Sequence, residues 1–164
     1  MVLFRLQNRG DMLRLSKMTD YGTVVMTSLA RRPEILRNAS DLAEETRIAA
    51  PTVSKILKAL AHSGLVDSVR GAHGGYRLAR APADIPMSEV IAVLEGPIAM
   101  TECAVHDGKC GIESACDVRG NWQLLNQAIL SALNTVSLAD MVLPLTVHKL
   151  HDARDGGIAI MRSI

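Results

Sequence analysis

The strongest constraint on the fold comes from residues 51–62, where a proline opens a segment with the spacing of one helix face. The apolar residues of this segment recur at i, i+3, i+4 and i+7: Val53, Ile56, Leu57 and Leu60. This spacing predicts an amphipathic helix, and a proline is tolerated in its first turn because no hydrogen bond is lost there. The helix is expected to run from Pro51 to about His62, with Gly64 at its C-terminal cap. The polar side chains that lie off the apolar face are Thr52, Ser54, Lys55 and Lys58.

A shorter helix is predicted immediately upstream, over Asp41–Arg47. Asn38 and Ser40 are residues that favour a helix N-cap, and the acidic residues that follow suit its positive end. A further helix is expected between Leu15 and Ala30. Two helices joined by a brief turn, the second with basic and hydroxyl groups facing outwards, are typical of a helix-turn-helix.

The segment after these helices has the pattern of a β-hairpin. Residues 65–70 alternate and are rich in β-branched side chains, and residues 76–79 are able to pair with them. Gly71, Gly74 and Gly75 permit a tight tip between the two strands. A basic hairpin that follows a recognition helix is a wing, so the sequence predicts a winged helix-turn-helix.

The composition agrees with a mainly helical protein. Hydrophobic residues make up 48% of the 164 residues but aromatic residues only 2%, so the core must be aliphatic, which suits packed helices. No apolar run is long enough to span a membrane, and three cysteines are too few for a disulfide framework. We therefore expect a cytoplasmic protein with no membrane contact. No nucleophile–base pair, acid pair or phosphate loop stands out, so we expect neither an enzyme nor a small-molecule substrate.

The net charge of +1 hides two segments of opposite sign. Residues 37–80 contain seven basic and four acidic residues, whereas residues 84–117 contain one lysine and seven acidic residues. The basic segment coincides with the predicted winged helix, which indicates double-stranded DNA as its partner. The candidate DNA contacts are Thr52, Ser54, Lys55 and Lys58 on the helix and Arg70 and His73 on the wing. The alternative is that these are solvated surface residues.

The acidic segment contains all three cysteines, Cys103, Cys110 and Cys116. Three thiols in one polar loop suggest a metal site, and gaps this wide favour an iron–sulfur cluster over a single ion. Three alternatives stay open: small buried residues, a thiol–disulfide or nitric-oxide switch, and a zinc site completed by His106. Asp20 on the first helix is a second candidate for the fourth ligand.

Four motifs together resemble the IscR-like (Rrf-type) winged-helix regulators, and most of all the regulators of SUF-type iron–sulfur assembly. They are residues 14–21 (RLSKMTDY), the wing 69–78 (VRGAHGGYRL), residues 88–91 (SEVI) and the three cysteines. The resemblance covers about residues 12–141. It implies a homodimer paired through a long helix, a pseudo-palindromic operator, and a [2Fe–2S] cluster held by the three cysteines. The family pattern has a histidine three residues after the last cysteine, where this sequence has Arg119; some members use a first-helix residue instead, which here corresponds to Asp20.

These observations predict a mainly α protein: a winged helix-turn-helix domain with a two-stranded wing and a long C-terminal dimerisation helix. The apolar positions of that helix, which is expected from about Ile112 to Asn134, are Trp122, Leu125, Ile129 and Leu133. The expected organisation is a disordered extension (1–11), the winged helix (12–96), a cysteine loop (97–117), the dimerisation helix (118–141) and a flexible tail (142–164). The predicted function is a DNA-binding repressor that senses an iron–sulfur cluster and controls cluster-assembly genes.

Overall fold

The computed structural model describes residues 15–71, 74–101, 110–112 and 115–143. Five of the predictions lie partly or wholly outside these residues: the N-terminal extension, His73, Cys103, His106 and nearly all of the C-terminal tail. In the described part of the chain, no helix is both long and apolar enough to cross a membrane.

Helix α1 (Lys17–Ala30) begins at an N-cap serine and is held by the end of a later helix. The Ser16 side chain accepts a hydrogen bond from the Thr19 N–H, as an N-cap residue does. Glu95 accepts hydrogen bonds from the Ser16 N–H and from the Thr19 hydroxyl, the latter at 2.7 Å. These bonds hold the pKa of Glu95 below its usual range. Hydrogen bonds to Glu95 therefore hold the start of α1 in place.

Helices α2 (Ala39–Thr46) and α3 (Ala50–His62) form the predicted helix-turn-helix. Asn38 caps α2 through its side chain, which accepts from the Asp41 N–H at 2.8 Å. The turn between the helices depends on Arg47, which adopts a left-handed conformation with φ of 57°. A left-handed residue lets the chain leave α2 and enter α3 within a few residues, and Gly64 performs the same role after α3 with φ of 79°.

The wing is an antiparallel hairpin of β1 (Val66–Val69) and β2 (Gly75–Leu78), in which Val66 pairs with Leu78 and Val69 with Gly75. Arg37 adds a third backbone segment at the edge of β2. Its N–H donates to the Tyr76 carbonyl at 2.9 Å, and the Tyr76 N–H donates to the Arg37 carbonyl at 2.8 Å. The predicted winged helix with a two-stranded wing is confirmed.

The chain continues through a short 3-10 helix (Pro82–Asp84), α4 (Met87–Glu95), α5 (Arg119–Asn134) and α6 (Leu138–Val142). The predicted start of the long helix at Ile112 is wrong, because α5 begins at Arg119. The reason is packing: Ile112 and Val118 are 67% and 50% exposed, so no buried face stabilises a helix before Arg119.

The hydrophobic core lies among α1, α2, α3, α4, the wing and α6. Val53, Ile56, Leu57 and Leu60, the predicted stripe of α3, are all fully buried. Leu138 of α6 is also fully buried in this core, and its N–H donates to the Ile85 carbonyl at 2.8 Å. The chain therefore returns after α5 to complete the core of the winged helix.

Helix α5 is different, since its only buried residue is the polar Asn126. The Asn126 side-chain oxygen accepts from the Met100 N–H at 3.3 Å, and Asn134 bonds the Ser88 hydroxyl of α4. The predicted apolar face is left uncovered by this chain: Leu125 is 50% exposed and Trp122, Ile129 and Leu133 are half-buried.

Candidate nucleic-acid interface and cysteine segment

The outward face of α3 carries the residues that were predicted to meet DNA. Lys55 and Lys58 are exposed, and Thr52 and Ser54 are half-buried. The apolar stripe on the opposite face holds α3 against the core, so these side chains have a fixed direction. Their contact with DNA stays a prediction.

Arg70 lies directly after β1, exposed at the outer end of the wing. The tip turns tightly because Gly71 has φ of 117° and the Gly74 N–H donates to the Gly71 carbonyl at 3.0 Å. A side chain at position 74 would place its Cβ 2.2 Å from the Val69 carbonyl oxygen, so glycine is required there. Arg70 is therefore an exposed residue beside a turn in which glycine is required.

The seven basic side chains within residues 37–80 divide into paired and unpaired groups. Three are neutralised within the domain: Arg37 pairs with Glu45 at 2.6 Å, Arg77 with Asp67 at 3.5 Å and Arg80 with Glu89 at 2.7 Å. The other four are exposed and form no ion pair with another described residue: Arg47, Lys55, Lys58 and Arg70. We call these four residues the cationic face.

Arg47 was not among the DNA contacts predicted from the sequence. It lies in the turn between α2 and α3, and its local sequence does not distinguish it from the paired arginines. The signal that places it in the cationic face is structural, namely exposure without an ion-pair partner in the described part of the chain.

Two of the three cysteines are described, and both are half-buried free thiols. Cys116 lies three residues before α5. Among the described residues no three metal-ligating side chains form a group, but Cys103 is not one of them. The three-cysteine site therefore stays a prediction.

Asp20 and Arg119 bear on the fourth ligand. Asp20 is exposed in the first turn of α1. An acidic residue is common at this position because the N-terminus of a helix has a partial positive charge. Arg119 is the first residue of α5, and its guanidinium group has hydrogen-bond donors but no acceptor, so it cannot replace a ligating histidine. Asp20 as a ligand stays a prediction as well.

Comparisons with known proteins agree with this arrangement. The profile of the Rrf2 family, described as iron-dependent transcriptional regulators, matches residues 15–144. Protein rrf2 of Nitratidesulfovibrio vulgaris is 31% identical over 131 residues, which cover 79% of this chain and 87% of that protein.

Two solved structures share the fold. CymR, the global cysteine regulator of B. subtilis, has a TM-score of 0.62 at 29% identity, with 79% of this chain and 96% of that chain covered. IscR of T. potens has a TM-score of 0.60 at 31% identity, with 93% and 97% covered. These similarities, together with the winged helix and its cationic face, show that the chain belongs to the Rrf2 family of transcriptional regulators and is not an enzyme.

Proposed function

We propose that this protein is a repressor that binds a pseudo-palindromic operator as a homodimer and senses an iron–sulfur cluster. The observation that carries the DNA-binding part is the cationic face: four exposed cations of residues 37–80 that form no ion pair with another described residue and lie on the recognition helix, its preceding turn and the wing. Arg37, Arg77 and Arg80 are neutralised by ion pairs, so the positive charge that remains within residues 37–80 lies on the elements where a duplex is expected to dock.

The roles of the individual side chains follow from their positions. Thr52, Ser54 and Lys55 lie in the N-terminal half of α3, which is the part of a recognition helix that meets base edges. Lys58 lies one turn further and is assigned to phosphate. Arg70 on the wing is assigned to the adjacent minor groove, whose negative potential attracts a guanidinium group, and His73 to phosphate.

The homodimer is supported by the uncovered apolar face of α5. Leu125 is 50% exposed, and a second α5 would bury it together with the half-buried residues of that face. Two recognition helices would then read half-sites about one DNA turn apart. Leu125→Glu is expected to convert the dimer to a monomer in analytical ultracentrifugation, whereas an unchanged dimer would exclude this face as the interface.

The sensor part rests on Cys103, Cys110 and Cys116, with Asp20 as the proposed fourth ligand. The donor set fits, since thiolates are the usual ligands of such clusters and the two described cysteines are reduced and partly accessible. When bound, a [2Fe–2S] cluster supplies an iron centre that responds to oxidants. The description of the matched family as iron-dependent supports this part of the proposal, and control of SUF-type assembly genes in the cytoplasm is its proposed context.

Hydrogen bonds connect the cysteine loop (97–117) and the residue before it to α5 and to the winged helix. Met100 lies in the loop, before its first cysteine, and its N–H donates to Asn126 of α5. Glu95 lies just before the loop and joins the end of α4 to the start of α1. We propose that a change in the position of this loop alters the packing of α5, and with it the spacing of the two recognition helices.

Salt dependence tests the DNA-binding part. Operator affinity is expected to fall with salt, with a log–log slope of about −0.9 for each phosphate neutralised. Lys58→Ala is expected to make the slope shallower by about 1.8, because each protomer of the dimer loses one phosphate contact, whereas Lys17→Ala, at the exposed start of α1, is expected to leave it unchanged. A slope that Lys58→Ala does not alter would contradict the assignment of Lys58 to phosphate.

Anaerobic purification tests the sensor part. Visible absorbance together with iron and acid-labile sulfide would support the cluster, and Cys110→Ser and Cys116→Ser are expected to abolish all three. Zinc in their place would indicate a zinc-stabilised module, and the absence of both metals would indicate a thiol switch. Equal operator affinity with and without the cluster would contradict a sensing role.

A further inference from the structure

Arg37 is the basic residue of the winged helix that faces inwards. Its side chain is only 11% exposed, and its guanidinium donates to Glu45 Oε2 at 2.6 Å. An arginine held in this way has no surface to offer to a phosphate. Its net charge is also cancelled by the carboxylate, so a direct role in DNA binding does not explain it.

The Arg37 ion pair is part of a connected series of polar contacts. Glu45 of α2 uses its other oxygen, Oε1, to accept a hydrogen bond from the Ser28 hydroxyl at 2.7 Å, and Ser28 is buried in α1. The hydrogen bond from Ser28, followed by that from Arg37, holds the pKa of Glu45 below its usual range. Glu45 is therefore ionised at neutral pH, and both of its oxygens are in use.

The backbone of Arg37 connects these polar contacts to the wing. It exchanges two hydrogen bonds with Tyr76 of β2, at 2.8 and 2.9 Å. Gly75 permits this close approach, because a Cβ there would lie 2.8 Å from the Arg37 carbonyl oxygen. One residue thus contacts the first helix of the helix-turn-helix through its side chain and the wing through its main chain.

From this geometry we infer that Arg37 is a positioning residue, which sets the wing relative to α2 so that Arg70 and α3 contact one duplex together. The inference rests on the proposed DNA-binding function and adds a residue that makes no contact with DNA. Two docking elements joined by a fixed connection bind with less loss of freedom than two elements that move separately. The wing is also connected to the helices through the chain at Leu65 and through the core contacts of Val66, Tyr76 and Leu78.

A double-mutant cycle with Arg70 separates positioning from simple stability. The probe is the tightest duplex that the wild-type protein selects from a randomised library of about 40 base pairs, as the dimer spans about two half-sites. Removal of the wing contact by Arg70→Ala is expected to weaken binding about 10-fold in the wild type. Arg37→Met keeps the main-chain hydrogen bonds with Tyr76 but removes the contact with Glu45, so the wing is held less firmly relative to α2 and Arg70→Ala is expected to weaken binding less than about 3-fold.

Two further variants serve as controls. Arg37→Lys retains the charge and, because the contact with Glu45 is a single hydrogen bond, it is expected to restore the full effect of Arg70→Ala. Arg80→Met removes a comparable ion pair, with Glu89, that does not join α2 to the wing, and its effect is expected to add to that of Arg70→Ala. Each titration is performed well below the melting temperature of its variant, so that loss of folded protein does not enter the measured affinity.

The outcomes distinguish this inference from the proposed function. An equal effect of Arg70→Ala in the wild-type and Arg37→Met backgrounds, including no effect in either, would overturn the positioning role. Failure of the wild-type protein to select any duplex would instead overturn the DNA-binding proposal itself. Dependence of the Arg70 effect on Arg37, restored by lysine, is the expected result.

Discussion

Replacement of Leu138 by alanine tests whether α6 is an integral part of the winged-helix core. Leu138 is fully buried, and the core that surrounds it contains residues from α1 to α4. Truncation of a buried leucine removes its burial energy and leaves a cavity, which together reduce the free energy of unfolding by about 3 kcal/mol. The backbone hydrogen bond from Leu138 to Ile85 is retained in the variant, so the loss reports on side-chain packing alone.

The measurement is urea unfolding followed by far-ultraviolet circular dichroism and by the fluorescence of Trp122, the only tryptophan in the chain. With a denaturant slope of about 2 kcal/mol/M, the midpoint is expected to fall by about 1.5 M. The melting temperature is expected to fall by about 6–12 °C. Protein concentration is held constant, because a dimer gains stability with concentration.

Met141→Ala is the matched control, since Met141 lies on the same helix but is 44% exposed. Its effect is expected to stay within about 0.5 kcal/mol. The reasoning would be refuted if both variants had the same stability.

Three other predictions concern single residues. Gly75→Ala is expected to lower the free energy of unfolding by about 1–3 kcal/mol in urea titrations, because its Cβ would separate β2 from Arg37 and weaken two hydrogen bonds; an unchanged midpoint would contradict this. Arg47→Gly is expected to raise the melting temperature by a few degrees, since glycine adopts the left-handed conformation without strain; a decrease would show that the Arg47 side chain is needed for folding. The pKa of Glu95 is lowered in the folded protein, so its contribution to stability is present at neutral pH and is lost as pH falls through and below the ordinary glutamate value of 4.5. Glu95→Gln is therefore expected to reduce the fall in melting temperature over that range, and an identical pH dependence would contradict the role of the Ser16 and Thr19 hydrogen bonds.

Local signals were sufficient for the elements that contact DNA in the proposed function. The apolar period of residues 53–60, the capping residue Asn38 and the glycines of the wing act within a few residues of one another. Each also restricts the backbone directly, through helix periodicity, a side-chain cap or a positive φ. The order of helix, turn, helix and hairpin could for this reason be predicted before any tertiary contact was known.

The start of the long helix could not be predicted in the same way. The residues after Gly111 have no local signal that forbids a helix, and only the exposure of Ile112 and Val118 shows that no other described residue covers them. The apolar period that begins at Trp122 does mark a real helix, but the sequence does not reveal that this chain leaves that face uncovered.

The sequence by itself therefore determined the winged helix-turn-helix and the basic character of its surface, because both follow from local spacing and residue type. Only the tertiary structure decided which basic residues remain available: Arg37 turns inwards to Glu45, whereas Arg47 remains without an ion-pair partner among the described residues. It also decided that Leu138 belongs to the core of the first four helices. Both outcomes depend on contacts between residues far apart in the chain, and such contacts exist only once the helices have packed.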